Sequence, residues 1–194
     1  MGAALAQAVV ENGDEALVIS GPVEVTYPKE AEVIRVTTTE EMLNASTARF
    51  PQCVGAIGAA APCDYEPFTV LNEKMSKEDF IRAPENNGEF LLRLRETPDV
   101  MAALGAIKRG RDSELGGQWL VAFALEISDR HVRAMQKLQK KHCDLILVNG
   151  PSAINGATSR VEILNASGEM LAHLSGDKLA VARGVISEIS RRLY

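Results

Sequence analysis

The sequence predicts an α/β protein, a three-layer αβα sandwich around a mostly parallel sheet, and three observations carry that expectation. Short apolar runs alternate with stretches of helical spacing along almost the whole chain. The runs "CVGAIGAAA", "QWLVAFALEI" and "DLILVNG" show no polar alternation, as strands do when helices cover both faces of their sheet. Residues that start and stop helices fall between them.

The opening "MGAALAQAVV" places Ala, Leu and Val at helical spacing, and Asn12-Gly13 ends that helix. No Ser, Thr, Asp or Asn stands before it, so its first amide groups have no side-chain cap. "ALVIS" (Ala16 to Ser20) reads as a short strand stopped by Gly21-Pro22, and "AEVIRVT" as a second. Thr39 followed by "EEMLNASTARF" reads as a helix whose Glu40 and Glu41 favour the positive end of its dipole. "CVGAIGAAA" is then a central strand. Residues 62–89 mix Pro, Gly, Asn and charge and are too long for an ordinary connection, which marks a lid or flap insertion. "FLLRLRE" (Phe90 to Glu96) reads as a half-buried strand. In "TPDVMAALGAIKRG", Thr97 is the expected cap, with Pro98 at the first helical position and Asp99 in the first turn. "QWLVAFALEI" is a buried strand, "SDRHVRAMQKLQKKH" a helix capped by Ser128, and "DLILVNG" the next strand. "RVEILNASGEMLAHL" reads as an edge hairpin turning at Ala166 to Gly168, and "GDKLAVARGVISEISRRLY" as an amphipathic closing helix. The chain is thus one domain, 1–194, with a Rossmann-like sheet, a long lid loop at 62–89 and an edge hairpin.

At 194 residues the chain can bury a proper core without metals or disulfides. A formal charge of −5 and a pI near 5.3 argue against a nucleic-acid or membrane-surface binder, because no chain-wide positive field exists. The first apolar run stops at Glu11 and has no basic flank, unlike a membrane span or a secretory signal. A cytoplasmic location is expected. Cys53, Cys63 and Cys143 are odd in number and lack Cys-x-x-Cys spacing, which fits reduced thiols in the core.

In open α/β sheets ligands sit beyond the carboxyl ends of strands, so the residues just after each apolar run are the candidates. These are Gly58, Ala59 and Ala60 with Asp64, the loop around Lys74 and Lys77, the helix start from Thr97 to Asp99, Phe123 to Glu126, and Asn149-Gly150. Small residues at Gly58 to Ala60 let a flat ring or a phosphate approach the backbone, and equally let a helix pack tightly on the strand. The helix start from Pro98 through Val100 to Met101 offers amide groups to an anion. Lys137 and Lys141 share a helical face, which is either a solvated surface or, with a lid lysine, a phosphate contact. Asp64 is either a turn residue or an acceptor for a sugar or base. The three histidines, His131, His142 and His173, have no ligand spacing and read as surface residues. No Walker loop, zincin motif, nucleophile elbow or Gly-x-Gly-x-x-Gly turn is present, and no metal ligands can be named.

Taken together, "ISGPV", "AAAPCDY", "EKMSK", "TPDVMAALGAIK", "VAFALEI", "KLQKKHCDLILVN" and "SRVEIL" occur in the order of the phosphopantothenoylcysteine synthetase family, which the chain resembles over nearly its whole length. This is the ligase half of a bacterial flavoprotein of coenzyme A biosynthesis. The resemblance implies that the carboxylate of 4'-phosphopantothenate attacks the α-phosphate of CTP, or ATP in some members, with Mg²⁺ shielding the phosphates. Cysteine then displaces CMP from the acyl-nucleotide. It also implies that Gly58, Ala59 and Ala60 are the strand end that reads the cytosine, and that Asp64 contacts the nucleotide. Lys74 would meet the triphosphate from the lid, with Lys74 and Asp64 serving the chemistry. Pro98, Asp99, Val100 and Met101 would line the nucleotide site, Phe123 would pack on the nucleotide, and Lys137 and Lys141 would contact it. A homodimer through the lid-side strands and association with a flavin-dependent decarboxylase are further implications.

Departures are visible. The family's usual Gly-Phe-Ala-Ala-Glu-Thr is here Ala122-Phe123-Ala124-Leu125-Glu126-Ile127, and its Asn-Asp is Asn149-Gly150. Members begin the domain with a strand and an Asn-x-Ser-Ser-Gly-x-Met-Gly loop, of which Met1-Gly2 resembles the last two residues. Two functions follow as expectations: a phosphopantothenate–cysteine ligase domain impaired by that missing loop, or a catalytically silent nucleotide-binding or interaction module on the same fold.

Overall fold

The computed structural model describes residues 1–70, 72–74, 92–110, 112–125, 130–149 and 159–194. Contacts divide the chain into two compact units, Met1–Ala61 with Asp99–Tyr194, and Pro62–Pro98.

The larger unit opens with α1 (Gly2–Glu11), which has no side-chain cap and closes on Gly13 at φ 88°. β1 (Leu17–Ser20) and β2 (Glu32–Arg35) follow and pair in parallel. α2 (Thr39–Arg49) starts with a capping box: the Thr38 hydroxyl accepts from the Glu41 amide at 3.1 Å, while the Glu41 carboxylate accepts from the Thr38 amide at 3.1 Å. Beyond a 3₁₀ turn come β3 (Gly55–Gly58), α3 (Val100–Ile107), β6 (Trp119–Leu125), α4 (Arg130–Lys140), β7 (Leu145–Asn149), β8 (Ser159–Asn165), β9 (Met170–Gly176) and α5 (Lys178–Leu193). The smaller unit contributes β4 (Tyr65–Pro67) and β5 (Leu94–Glu96), paired antiparallel.

Among the described strands the main sheet has the order β3-β6-β7-β8-β9. β3–β6–β7 run parallel, and β7–β8–β9 antiparallel as the expected edge hairpin. That hairpin turns at Gly168, φ 81°, where the Asn165 side-chain oxygen accepts from the amides of Ser167 and Glu169. Two expectations need correction. "CVGAIGAAA" is not central: among the described strands β3 pairs with β6 alone and so lies at the edge of this sheet, while β1 and β2 form a separate pair. Residues 94–96 are each exposed, although Leu94 still hides about half of its surface; Phe90 and Leu91 lie outside the described residues, as does the Ser128 cap.

Helices cover both faces of the main sheet, as the unbroken apolar runs required. One core joins α1 and α5 to alternate strand residues, with Leu5, Val121, Leu147, Ile163, Val181, Val185 and Ile189 buried together. The other joins Phe50, Leu104 and Leu138 to Leu120, Ala122, Ile146, Val148 and Leu164 under α3 and α4. At the amino ends of the strands Trp119 lies over Gly55, where a Cβ would stand 2.1 Å from its indole ring. Asp144 accepts from the Leu120 amide at 2.7 Å and the Lys108 ammonium at 2.9 Å, tying β6, β7 and the segment after α3 together. Among the described residues no helix is long and apolar enough to cross a membrane.

Candidate functional site

The site builds up from the carboxyl ends of β3, β6 and β7. In β3, Ile57 and the following Ala59 pack toward the α1–α5 core, while Ala56 and Gly58 face α3. Gly58 makes room for the first turn of α3: a Cβ there would stand 2.5 Å from the Met101 sulfur. Ala60 is exposed.

The start of α3 differs from the expectation. Its cap is Asp99, not Thr97, and the first helical residue is Val100, not Pro98. Thr97 is engaged within the ribbon, its amide donating to the Asp64 carbonyl at 3.0 Å and its hydroxyl to the Cys63 carbonyl. Asp99, in extended conformation, accepts from the Ala102 amide at 3.1 Å. A carboxylate thus stands at the helix start where an anion site is expected, and takes its Ala102 amide. That carboxylate meets the Lys141 ammonium at 3.0 Å. Burial alone would push the Asp99 carboxyl up, but the Ala102 amide and the Lys141 ammonium outweigh it and hold the group below the ordinary carboxylate value.

Lys141 follows directly on α4, and Lys137, one turn earlier, is exposed. Phe123 packs against the α1–α5 core. Asp99 and Lys141 belong to α3 and α4 on the opposite face, so Phe123 and this ion pair flank the sheet from different sides. Asn149 ends β7 beside Leu125, and its side-chain oxygen is buried without a donor among the described residues. Asp64 and Lys74, both exposed, and Pro98 belong to the smaller unit. Lys77, Glu126 and Gly150 lie outside the described residues. His131 stands on the surface with its Nε2 2.8 Å from a Glu162 carboxylate oxygen.

Sequence reasoning named Asp99 and Lys141 separately but not their pairing, which joins segments far apart in the chain and leaves no periodic signal. Among the described residues no three His, Cys, Asp or Glu side chains come together as a metal site.

A cavity of about 600 Å³ opens at the other end of α3 and α4, lined by Gly105, Lys108, Leu138, His142 and Cys143. Cys143 is buried, and burial pushes its thiol up to about 11 despite the pull of Lys141 and Lys108. Cys63 is exposed. Thiol titration of the native protein is expected to label Cys63 rapidly and Cys143 only on unfolding; prompt labelling of Cys143 would contradict its burial.

Comparison with known proteins bears on this arrangement. The family model described as the DNA/pantothenate metabolism flavoprotein C-terminal domain matches residues 1–193. The chain is 35% identical to the coenzyme A biosynthesis bifunctional protein CoaBC of Bacillus subtilis (strain 168), over 98% of this chain and 44% of that protein. It is 34% identical to a cysteine/cysteine sulfinic acid decarboxylase from an unknown prokaryotic organism, over 97% of this chain and half of that protein. The chain spans about half the length of the curated relatives it matches. Among solved structures, the C-terminal domain of a CoaBC superposes with a TM-score of 0.77 at 25% identity, covering 99% of this chain and 81% of the other.

Proposed function

Because this chain belongs to the family of DNA/pantothenate metabolism flavoprotein C-terminal domains, we propose that it acts as a phosphopantothenate–cysteine ligase. The observation that carries the reading is the alignment of nearly the whole chain with the C-terminal part of bifunctional coenzyme A biosynthesis proteins, in sequence and in fold. The proposed co-substrates are 4'-phosphopantothenate, cysteine and CTP or ATP. In the first step a carboxylate oxygen attacks the α-phosphorus, and the bond to the β,γ-pyrophosphate breaks. In the second, the cysteine amine, as the free base, attacks the acyl carbon, the nucleoside monophosphate leaves with the bonding pair, and the nitrogen gives its extra proton to solvent as the amide forms. Mg²⁺, entering with the triphosphate, would offset its charge.

The residues proposed for this work are Lys74 toward the triphosphate and Asp64 toward the nucleotide. Gly58 to Ala60 and Phe123 would border the base, and Lys137 and Lys141 the phosphates. Two negatively charged reactants must meet, and a reactive acyl-phosphate must be kept from water; cationic side chains suit the first task, and a small-residue strand end lets a base approach the backbone. The test is calorimetric titration with CTP and ATP in the presence of Mg²⁺, followed by assay of CMP or AMP release with phosphopantothenate and cysteine. No nucleotide binding would defeat the reading. Binding without release would favour the silent module, a reading supported by Leu125 and Gly150 where the resemblance calls for Ala and Asp.

Lys74→Ala is expected to weaken triphosphate binding by roughly 1.5–3 kcal/mol, the range of a charge-assisted hydrogen bond. An unchanged dissociation constant would remove Lys74 from the site. Asp64→Ala should weaken nucleotide binding while leaving the melting temperature of the free protein in place; a large fall would instead mark a structural turn residue.

A homodimer through the ribbon is also proposed. β4 and β5 form a two-stranded ribbon, which is marginal alone, and its Tyr65, Phe68, Leu92 and Leu94 are about half exposed. Light scattering is expected to give twice the chain mass, and Leu94→Asp to return it to the single-chain value; a wild-type monomer would refute this. A cytoplasmic location and association with a flavin-dependent decarboxylase complete the proposal.

A further inference from the structure

We propose that Asp99 is a positioning residue that lays the Lys141 side chain along α3 and holds its ammonium at the start of that helix. Lys141 begins far from there. α4 runs from the carboxyl ends of the strands to their amino ends, and the Lys141 amide still donates to the Lys137 carbonyl at 3.0 Å, so its backbone continues the last turn. His142 then breaks the helix at φ 51°, and Cys143 and Asp144 lead into β7. The Lys141 backbone therefore stands near the amino end of the sheet, away from the strand ends where a ligand is expected.

Two contacts with α3 carry its charge to the other end. The Lys141 carbonyl rests against Gly105, so closely that a Cβ there would stand 2.2 Å from the oxygen. Six residues earlier, roughly 9 Å along the helix axis at 1.5 Å per residue, Asp99 takes the Lys141 ammonium at 3.0 Å. The Lys141 side chain, with the 3.0 Å ion-pair contact to the Asp99 oxygen, covers the interval. Asp99 also accepts from the Ala102 amide through the same oxygen that meets Lys141, so its own orientation is set by the helix it caps. Lys141 and Asp99 side chains are 24% and 34% exposed, shielded enough for the pair to order both groups.

The consequence concerns how an anion would be received. Asp99 caps α3 and repels phosphate, so it is not itself an anion ligand; it presents Lys141 at the first turn of α3 with the side chain already ordered. This part rests on the nucleotide reading, whereas the ordering of Lys141 does not.

Asp99→Asn keeps a capping oxygen and removes the charge, and Asp99→Ser does the same should the first variant fail to fold. The direct measurement is the order of the Lys141 ammonium in ¹⁵N-lysine NMR of the free protein. The Lys108 ammonium, held by Asp144 and the His142 carbonyl, is the internal reference. Order at Lys141 is expected to fall in Asp99→Asn while Lys108 is unchanged; equal order at Lys141 would overturn the proposal. Where CTP or ATP binds, Asp99→Asn is expected to raise the dissociation constant roughly two- to fivefold, as for loss of a partly exposed ion pair. In a Lys141→Met background that weakening should vanish, leaving binding unchanged or slightly tighter as the repulsion by Asp99 is relieved. Tighter binding in Asp99→Asn, or an undiminished effect in that background, would also overturn it. Failure of every nucleotide to bind would sink the proposed function while the NMR result still decides the role of Asp99.

Discussion

Gly105→Ala is expected to cost about 3 kcal/mol or more and to lower the melting temperature by roughly 10 °C. The added methyl would stand 2.2 Å from the Lys141 carbonyl oxygen and 3.0 Å from its carbon, inside any permissible contact. That neighbour is backbone at the end of α4 and cannot rotate aside, in contrast with Gly58, where the obstacle is the flexible Met101 side chain. α3 and α4 must therefore separate, which opens the core around Leu104, Ala134 and Leu138. Separation also moves Lys141 away from Asp99. Thermal denaturation by circular dichroism reads the first effect, and a melting temperature within a degree or two of wild type would show that the two helices are not held this closely.

Gln118→Ala is the second large effect, expected at about 3 kcal/mol or more. Gln118 is only 5% exposed and stands just before β6. Its amide nitrogen donates to the Phe50 and Cys53 carbonyls, both at 2.7 Å, and its oxygen accepts from the Arg109 amide at 3.1 Å. One side chain thus satisfies three backbone groups from the turn after α2 and the segment after α3. Alanine would leave them without partners in a place that water reaches poorly, and would add a small void. Against a total stability of order 5–15 kcal/mol, such a loss is a large fraction. Urea denaturation followed by tryptophan fluorescence measures it, with Trp119 next in the chain as the reporter. Gln118→Glu separates the contributions, because a carboxylate can still accept from Arg109 but cannot donate to the two carbonyls. An unchanged midpoint in both variants would remove Gln118 as a structural tie.

Much of the fold was legible in the sequence because its signals are local. The helix of α5 follows from Val181, Val185 and Ile189 recurring on one face, and all three are buried. Asn12-Gly13 and the Ala166 to Gly168 turn end their elements where backbone conformation requires, with Gly13 and Gly168 both at positive φ. The continuous apolar runs at Leu120 to Ala124 and Leu145 to Val148 could only be strands covered on both sides, and both are. Strand ends and helical spacing made Asp64, Lys74, Phe123, Lys137 and Lys141 candidates and the resemblance gave them roles, but neither says which face of the sheet a side chain takes.

Pairing and depth were decided by tertiary structure. β3 looks central by composition, since Gly, Ala and Ile suit a covered strand, yet among the described strands it pairs with β6 alone, and strand pairing is a long-range choice that composition does not encode. Thr97-Pro98-Asp99 contains two good caps, and local preference favoured the first. Thr97 is bound to Cys63 and Asp64, and the cap passes to Asp99. The sequence by itself determined where helices and strands form, because hydrophobic period and capping chemistry act over a few neighbouring residues. Only the folded chain decided that Lys141 lies on Gly105 and ends at Asp99, because that contact is made between two helices whose spacing is set by the packed sheet beneath them.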